Sequence, residues 1–141
     1  MSSTFNKFNQ FVQDLANGKH NLGSDTLKVA LTNSAPVASN TVFANITEIS
    51  AGNGYSAGGG TTTQTSSTQT SGTYRLISGN VTTTASGAVG PFRYVVLYNS
   101  TQTSPLKPLI GYYDFGSNVT LANGDTFTVA FDQTNGILSI A

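Results

Sequence analysis

One histidine, His20, and six carboxylates, Asp14, Asp25, Glu48, Asp114, Asp125 and Asp132, are the side chains suited to acid–base chemistry. A serine triad needs a base hydrogen-bonded between nucleophile and acid. Serines are plentiful, but none sits in a Gly-x-Ser-x-Gly elbow. His20 follows the Asn17-Gly18 helix stop, where an imidazole meets the favourable end of a helix dipole. It is expected as a helix-end or surface residue. Two carboxylates at the right separation would suit glycoside hydrolysis. Asp125 follows a turn signal and Asp132 precedes one, however, and Asp is common there for backbone reasons alone. No acidic run has EF-hand spacing, which leaves clustered loop aspartates as the alternative calcium ligands. Gly58-Gly59-Gly60 lacks the Lys-Ser/Thr of a phosphate loop. The Asn-x-Thr matches at Asn45, Asn80, Asn99 and Asn118 are what a chain rich in Asn and Thr produces by composition. No catalytic residue, metal ligand or cofactor is assigned, and the chain is expected not to be an enzyme.

The six tyrosines raise a different chemistry. Aromatic rings on a polar β-protein can stack on sugars while Asn and Gln read hydroxyls. Against that, Tyr94, Tyr98, Tyr112 and Tyr113 coincide with the most apolar segments. That placement favours core or interface roles.

The elements that position these groups are mostly strands. At 141 residues the chain is read as one domain spanning 1–141, with 38% hydrophobic residues for a core. Only 9% of residues are charged and the net charge is zero. Nothing therefore draws the surface to nucleic acid or an anionic membrane, and little charge repulsion keeps protein partners away. Without cysteine there are no disulfides or thiolate metal sites. No signal peptide or membrane-spanning run is evident, so synthesis in the cytosol without export is expected.

Phe92–Tyr98 is apolar on both faces and predicts a central strand: Phe92, Tyr94, Val96 and Tyr98 on one side, Val95 and Leu97 on the other. Leu27, Val29 and Leu31 alternate with Lys28, Ala30 and Thr32 as a half-buried strand, and Val42–Ile49 contains another. A helix over about 4–17, capped by Ser3 or Thr4, carries Phe5, Phe8, Val12 and Leu15 as its stripe. Residues 56–72, rich in Thr, Ser and Gly, predict a flexible surface loop, part of which could pair as an edge strand or order as an arm against a neighbour. Asn123-Gly124 predicts a type I′ hairpin, and Asn135-Gly136 extends it into a three-stranded meander. The sum is an antiparallel β-sandwich or squashed barrel of about eight strands with one short N-terminal helix.

One string covers much of the first third: Phe8-x-x-Phe11-Val12-x-Asp14-Leu15-Ala16-x-Gly18-x-His20-x-Leu22-Gly23-Ser24-Asp25-Thr26-Leu27-Lys28-Val29-Ala30-Leu31-Thr32-Asn33. Ile46-Thr47-Glu48-Ile49, Gly52-Asn53-Gly54-Tyr55, Gly90-Pro91-Phe92-Arg93-Tyr94 and Pro108-Leu109-Ile110-Gly111-Tyr112 follow in order. The chain resembles, over nearly its whole length, a family of small virion structural proteins of tailed bacteriophages. The resemblance implies a non-enzymatic virion protein and no catalytic signature. Within that class the expectation is a capsid decoration (cement) protein, with the major capsid protein and copies of itself, as a trimer, for partners. Arg75, Arg93, Tyr112, Thr63 and Thr65 are the candidate interface residues, with residues 56–72 and the N-terminal residues as arms. A tail tube, baseplate or minor tail component and a carbohydrate-binding module for host attachment are the alternatives.

Overall fold

The computed structural model describes residues 3–141. Its elements in chain order are β1 (Asn6–Lys7), α1 (Asn9–Ala16), β2 (Leu27–Thr32), β3 (Gly60–Thr61), β4 (Gln64–Thr70), β5 (Thr73–Ser78), β6 (Val81–Thr84), β7 (Val89–Asn99), β8 (Leu109–Leu121), β9 (Thr126–Val129) and β10 (Leu138–Ile140). They form an antiparallel β-sandwich with one short helix near the N-terminus, as expected. One layer is a five-stranded sheet ordered β1-β8-β7-β2-β3. Two smaller sheets, β10-β5-β4 and β6-β9, complete the fold.

β7 is the central strand, flanked by β8 and β2, because it carries apolar side chains on both faces. Val95, Leu97 and Phe92 join β2 residues Leu27, Val29 and Leu31 in the main core. Leu76, Val81 and Leu138 reach that core from the smaller sheets. On the opposite face Val96 and Tyr98 pack with Phe8, Ala30 and Leu109, under Phe43 and Ile46. Ala30 and Thr32, expected to face out, are therefore buried.

Phe92 departs from strict alternation. The β7–β8 register shifts between Phe92 and Tyr94, so that Phe92 opposes Val119 while Tyr94 opposes Asp114. Residues 115–118 bulge outward, and Phe92 lands in the core that holds Val95 and Leu97. A bulge resets the inside–outside parity of a strand.

The N-terminus is divided differently from the expected helix. Asn6 and Lys7 pair with Tyr112 and Gly111, and α1 starts only at Asn9. Gly111 permits this approach: a Cβ there would overlap the Phe5 ring and crowd the Asn6 carbonyl. Phe8, not Ser3 or Thr4, is the N-cap residue, and it supplies no side-chain cap. The Asn9 N–H is satisfied instead by the Ala38 carbonyl at 2.9 Å. The buried stripe is Phe8 and Phe11, with Leu15 half-buried, whereas Val12 is exposed.

Val42–Ile49 is not a strand. Phe43–Asn45 forms a 3₁₀ turn, held by the Asn45 side-chain oxygen accepting from the Thr41 and Val42 N–H groups. The C-terminal meander also fails to form. Positive φ occurs at Gly124 but not at Asn123, and Asp125 N–H bonds to Ala122 O, so the turn is type II. β9 then pairs with β6 and β10 with β5, each in a different sheet from β8. Residues 60–61 and 64–70, within the expected loop, are strands, and β4 is an edge strand zipped to β5.

Candidate functional site

The sheet β10-β5-β4 has one face in the core, through Leu76 and Leu138, and one face outward. Residues directly opposite across antiparallel strands share a face. Thr68, Arg75 and Ser139 therefore form a row across the outward face, beside Thr70 with Thr73 and Ser66 with Ile77. The result is a hydroxyl-rich surface with one guanidinium at its centre. Among the described residues Arg75 has no ion-pair partner.

Thr65 is the bulged residue between the paired Gln64 and Ser66. Its hydroxyl donates to Ile77 O at 3.3 Å. Thr63 is exposed just before β4, and its carbonyl accepts from Gly79 N–H and the Ser78 hydroxyl. The Gln64 side-chain amide ties the strand to the Asp25 carbonyl at 2.8 Å. Thr63, Thr65 and Arg75 thus lie in one region of the molecule.

Arg93 and Tyr112 lie elsewhere, on the five-stranded sheet. Arg93 makes a bidentate pair with Asp114, Nε to Oδ1 at 2.8 Å and Nη2 to Oδ2 at 3.1 Å. Asp114 Oδ1 also receives the Gly116 N–H, so this pair pins the 115–118 bulge. The Arg93 hydrogen bonds and then that of Gly116 hold the Asp114 carboxyl below the usual range. Tyr112 packs half-buried on Phe8, ring centroids 5.3 Å apart. Of the N-terminal arm, Met1 and Ser2 lie outside the described residues.

His20 is not a surface residue; it is 7% exposed. Phe11 packs on its ring, and the Asn99 side-chain amide approaches Nδ1 at 3.1 Å. The same amide nitrogen donates to Asp25 Oδ2 at 2.7 Å, which also accepts from Gln102 and from Asn21 N–H. Burial would raise the Asp25 pKa, but the Asn21 N–H, the Asn99 and Gln102 amides and nearby His20 outweigh it and hold it low. Burial lowers the His20 pKa even though Asp14 and Asp25 favour its charged form. This is a loop-anchoring cluster joining the segment before β2 to the end of β7. Asn99, one of the Asn-x-Thr matches, is fully buried within it.

The remaining acids have local partners. Asp125 accepts from Ala122 N–H, and Asp132 from the Thr134 and Asn135 N–H groups, the turn roles expected of them. Glu48 Oε2 accepts the Tyr55 hydroxyl at 2.6 Å and Gly58 N–H at 2.7 Å. Tyr55 in turn accepts from Leu31 N–H, linking this loop to β2. Sequence reasoning named Glu48 among the acids but did not pair it with Tyr55, because the contact joins loop residues with no periodic signal. Among the described residues no group of three His, Asp or Glu is placed to hold a metal ion, and no helix is long and apolar enough to cross a membrane. No protein-family model, curated protein or solved structure gives a significant match to the chain.

Proposed function

We propose that this chain is a structural protein of a tailed-phage virion, a capsid decoration protein that binds the outside of the head shell and stabilises it. One observation carries the contact surface: β4 is an unguarded edge. Its sequence, QTSSTQT, holds no charge and no proline, and among the described residues it has a neighbouring strand on one side only. Edge strands are ordinarily protected by charges, prolines or a covering segment. An edge left bare, beside a hydroxyl face with a central arginine, suits strand addition and side-chain contact with another protein.

The virion assignment is supported by the family resemblance and by the charge-poor surface. In this reading the partners are the major capsid protein and further copies of the chain, arranged as a trimer. Each contact is modest, and three linked copies multiply them through effective concentration. Binding the expanded shell in preference to its precursor stabilises it by mass action.

Immunogold electron microscopy of intact virions tests the reading. Antibody against this chain should label the head. Label confined to the tail, or none on the virion, overturns it.

A further inference from the structure

A half-open surface concavity of about 440 Å³ lies beside β2, lined by Lys28, Phe43, Glu48, Tyr98, Ser100 and Lys107, together with Ala57 and Gly58. Such a volume suits a small-molecule site. Its charge is unusual for this chain. Two of its four lysines line this one concavity, and neither has a carboxylate within ion-pair distance among the described residues.

The pocket is built rather than accidental. Lys28 lies directly opposite Tyr98 in the β2–β7 register, so both side chains share a face. Tyr98 is fixed by donating to Gly58 O at 2.6 Å, and Phe43 stacks on it with centroids 4.2 Å apart. Lys107 Nζ stands 5.8 Å from the Phe43 ring centre. Glu48 engages the protein through Oε2, leaving Oε1 without a hydrogen bond among the described residues.

We propose that this cavity binds a sugar acid: a monosaccharide-sized ring bearing one carboxylate. Each lining group has a matching function. The two ammonium groups take the carboxylate as point charges. Glu48 Oε1 accepts from ring hydroxyls, and the half-buried Phe43 ring, backed by Tyr98, covers an apolar ring face. Inorganic phosphate carries the anion but no apolar ring face to set against the aromatic side chain. A neutral sugar would leave both lysines unused, and an acidic side chain of a partner protein would leave most of the volume unfilled. The site shares no residue with the β4 face and does not depend on the virion reading.

The test titrates the whole chain with glucuronic and galacturonic acids at neutral pH, following backbone amide shifts. Glucose, inorganic phosphate and a glutamate-containing peptide serve as comparisons. Saturable shifts at Ala57, Gly58, Ser100 and Lys107 are expected with a uronic acid. Lys28→Gln and Lys107→Gln should each weaken binding about tenfold or more, as loss of a charge-assisted hydrogen bond implies. Both substitutions remove charges without ion-pair partners among the described residues, and an unchanged melting temperature establishes that each variant folds. No shift with either uronic acid overturns the proposal. So does equal or tighter binding of glucose, phosphate or the peptide.

Discussion

The amide nitrogen of Asn99 faces Nδ1 of His20 at 3.1 Å. An amide nitrogen only donates, and the Asn99 oxygen is already committed to Thr101 N–H at 3.0 Å. Nδ1 is therefore the acceptor, which places the proton of the neutral ring on Nε2. Protonating Nδ1 would set donor against donor in a buried site. The geometry and the lowered pKa of His20 agree.

Stability should fall on mild acidification because of this histidine. Its folded-state pKa lies below the ordinary 6.5, so the unfolded chain takes up the proton first. The stabilisation is fully present above about pH 6.5 and is lost as pH falls towards the folded pKa, at up to about 1.4 kcal/mol per pH unit. The carboxylates held low, Asp25, Asp114 and Asp132, act in a separate window. Their contribution is present above about pH 3.9 and is lost as pH falls through their folded values. Urea denaturation at pH 7 and pH 5 should show a loss in the parent that His20→Gln largely removes. An equal loss in both would refute the assignment.

Tyr55→Phe should destabilise the fold by about 1–3 kcal/mol, since it strands the buried Leu31 N–H and strips Glu48 Oε2 of a donor. Chemical denaturation measures the cost. A change within about 0.5 kcal/mol, the range of ordinary surface substitutions, would mean that the hydroxyl is dispensable.

Gly111→Ala should release β1. The added methyl meets Phe5 and the Asn6 carbonyl, and only one of them is a movable side chain. Faster amide exchange at Phe8, whose N–H bonds to Ile110 O, would report detachment, with β7 still protected. Unchanged exchange there would show that the strand shifts to accommodate the methyl.

Arg75→Glu should weaken self-association or shell binding by tenfold or more while leaving the melting temperature within about 2 °C, because the guanidinium makes no ion pair among the described residues. Analytical ultracentrifugation and co-sedimentation with capsids measure it. Loss of folding, or undiminished binding, would remove Arg75 from the interface.

The sequence made β7 legible because side chains apolar on both faces leave a strand only one place in a sandwich. It misled at Phe92, since a bulge spends residues without changing composition. The Asn123-Gly124 dipeptide marked a real turn, but alternation in Thr126–Val129 specifies a buried face, not a partner, and β9 went to β6. Asp125 and Asp132 were readable as turn residues because their partners lie within three positions. His20 was not, because Asn99 is 79 residues away. Lys28 and Lys107 share a cavity for the same long-range reason.

The pairing of Asn6 with Tyr112 fixes when the molecule can exist as well as how it is held together. These partners are 106 residues apart, so at ribosomal speeds of about 5–20 residues per second the first strand waits roughly 5–20 seconds for its neighbour. β2 likewise waits for β7, while its apolar face has little to lie against. The β4–β5 hairpin closes early, with two residues between its strands. The nascent chain therefore emerges with its threonine-rich hairpin able to form before the large sheet, and in that interval it presents Leu27, Val29 and Leu31 to whatever chaperones the cell provides.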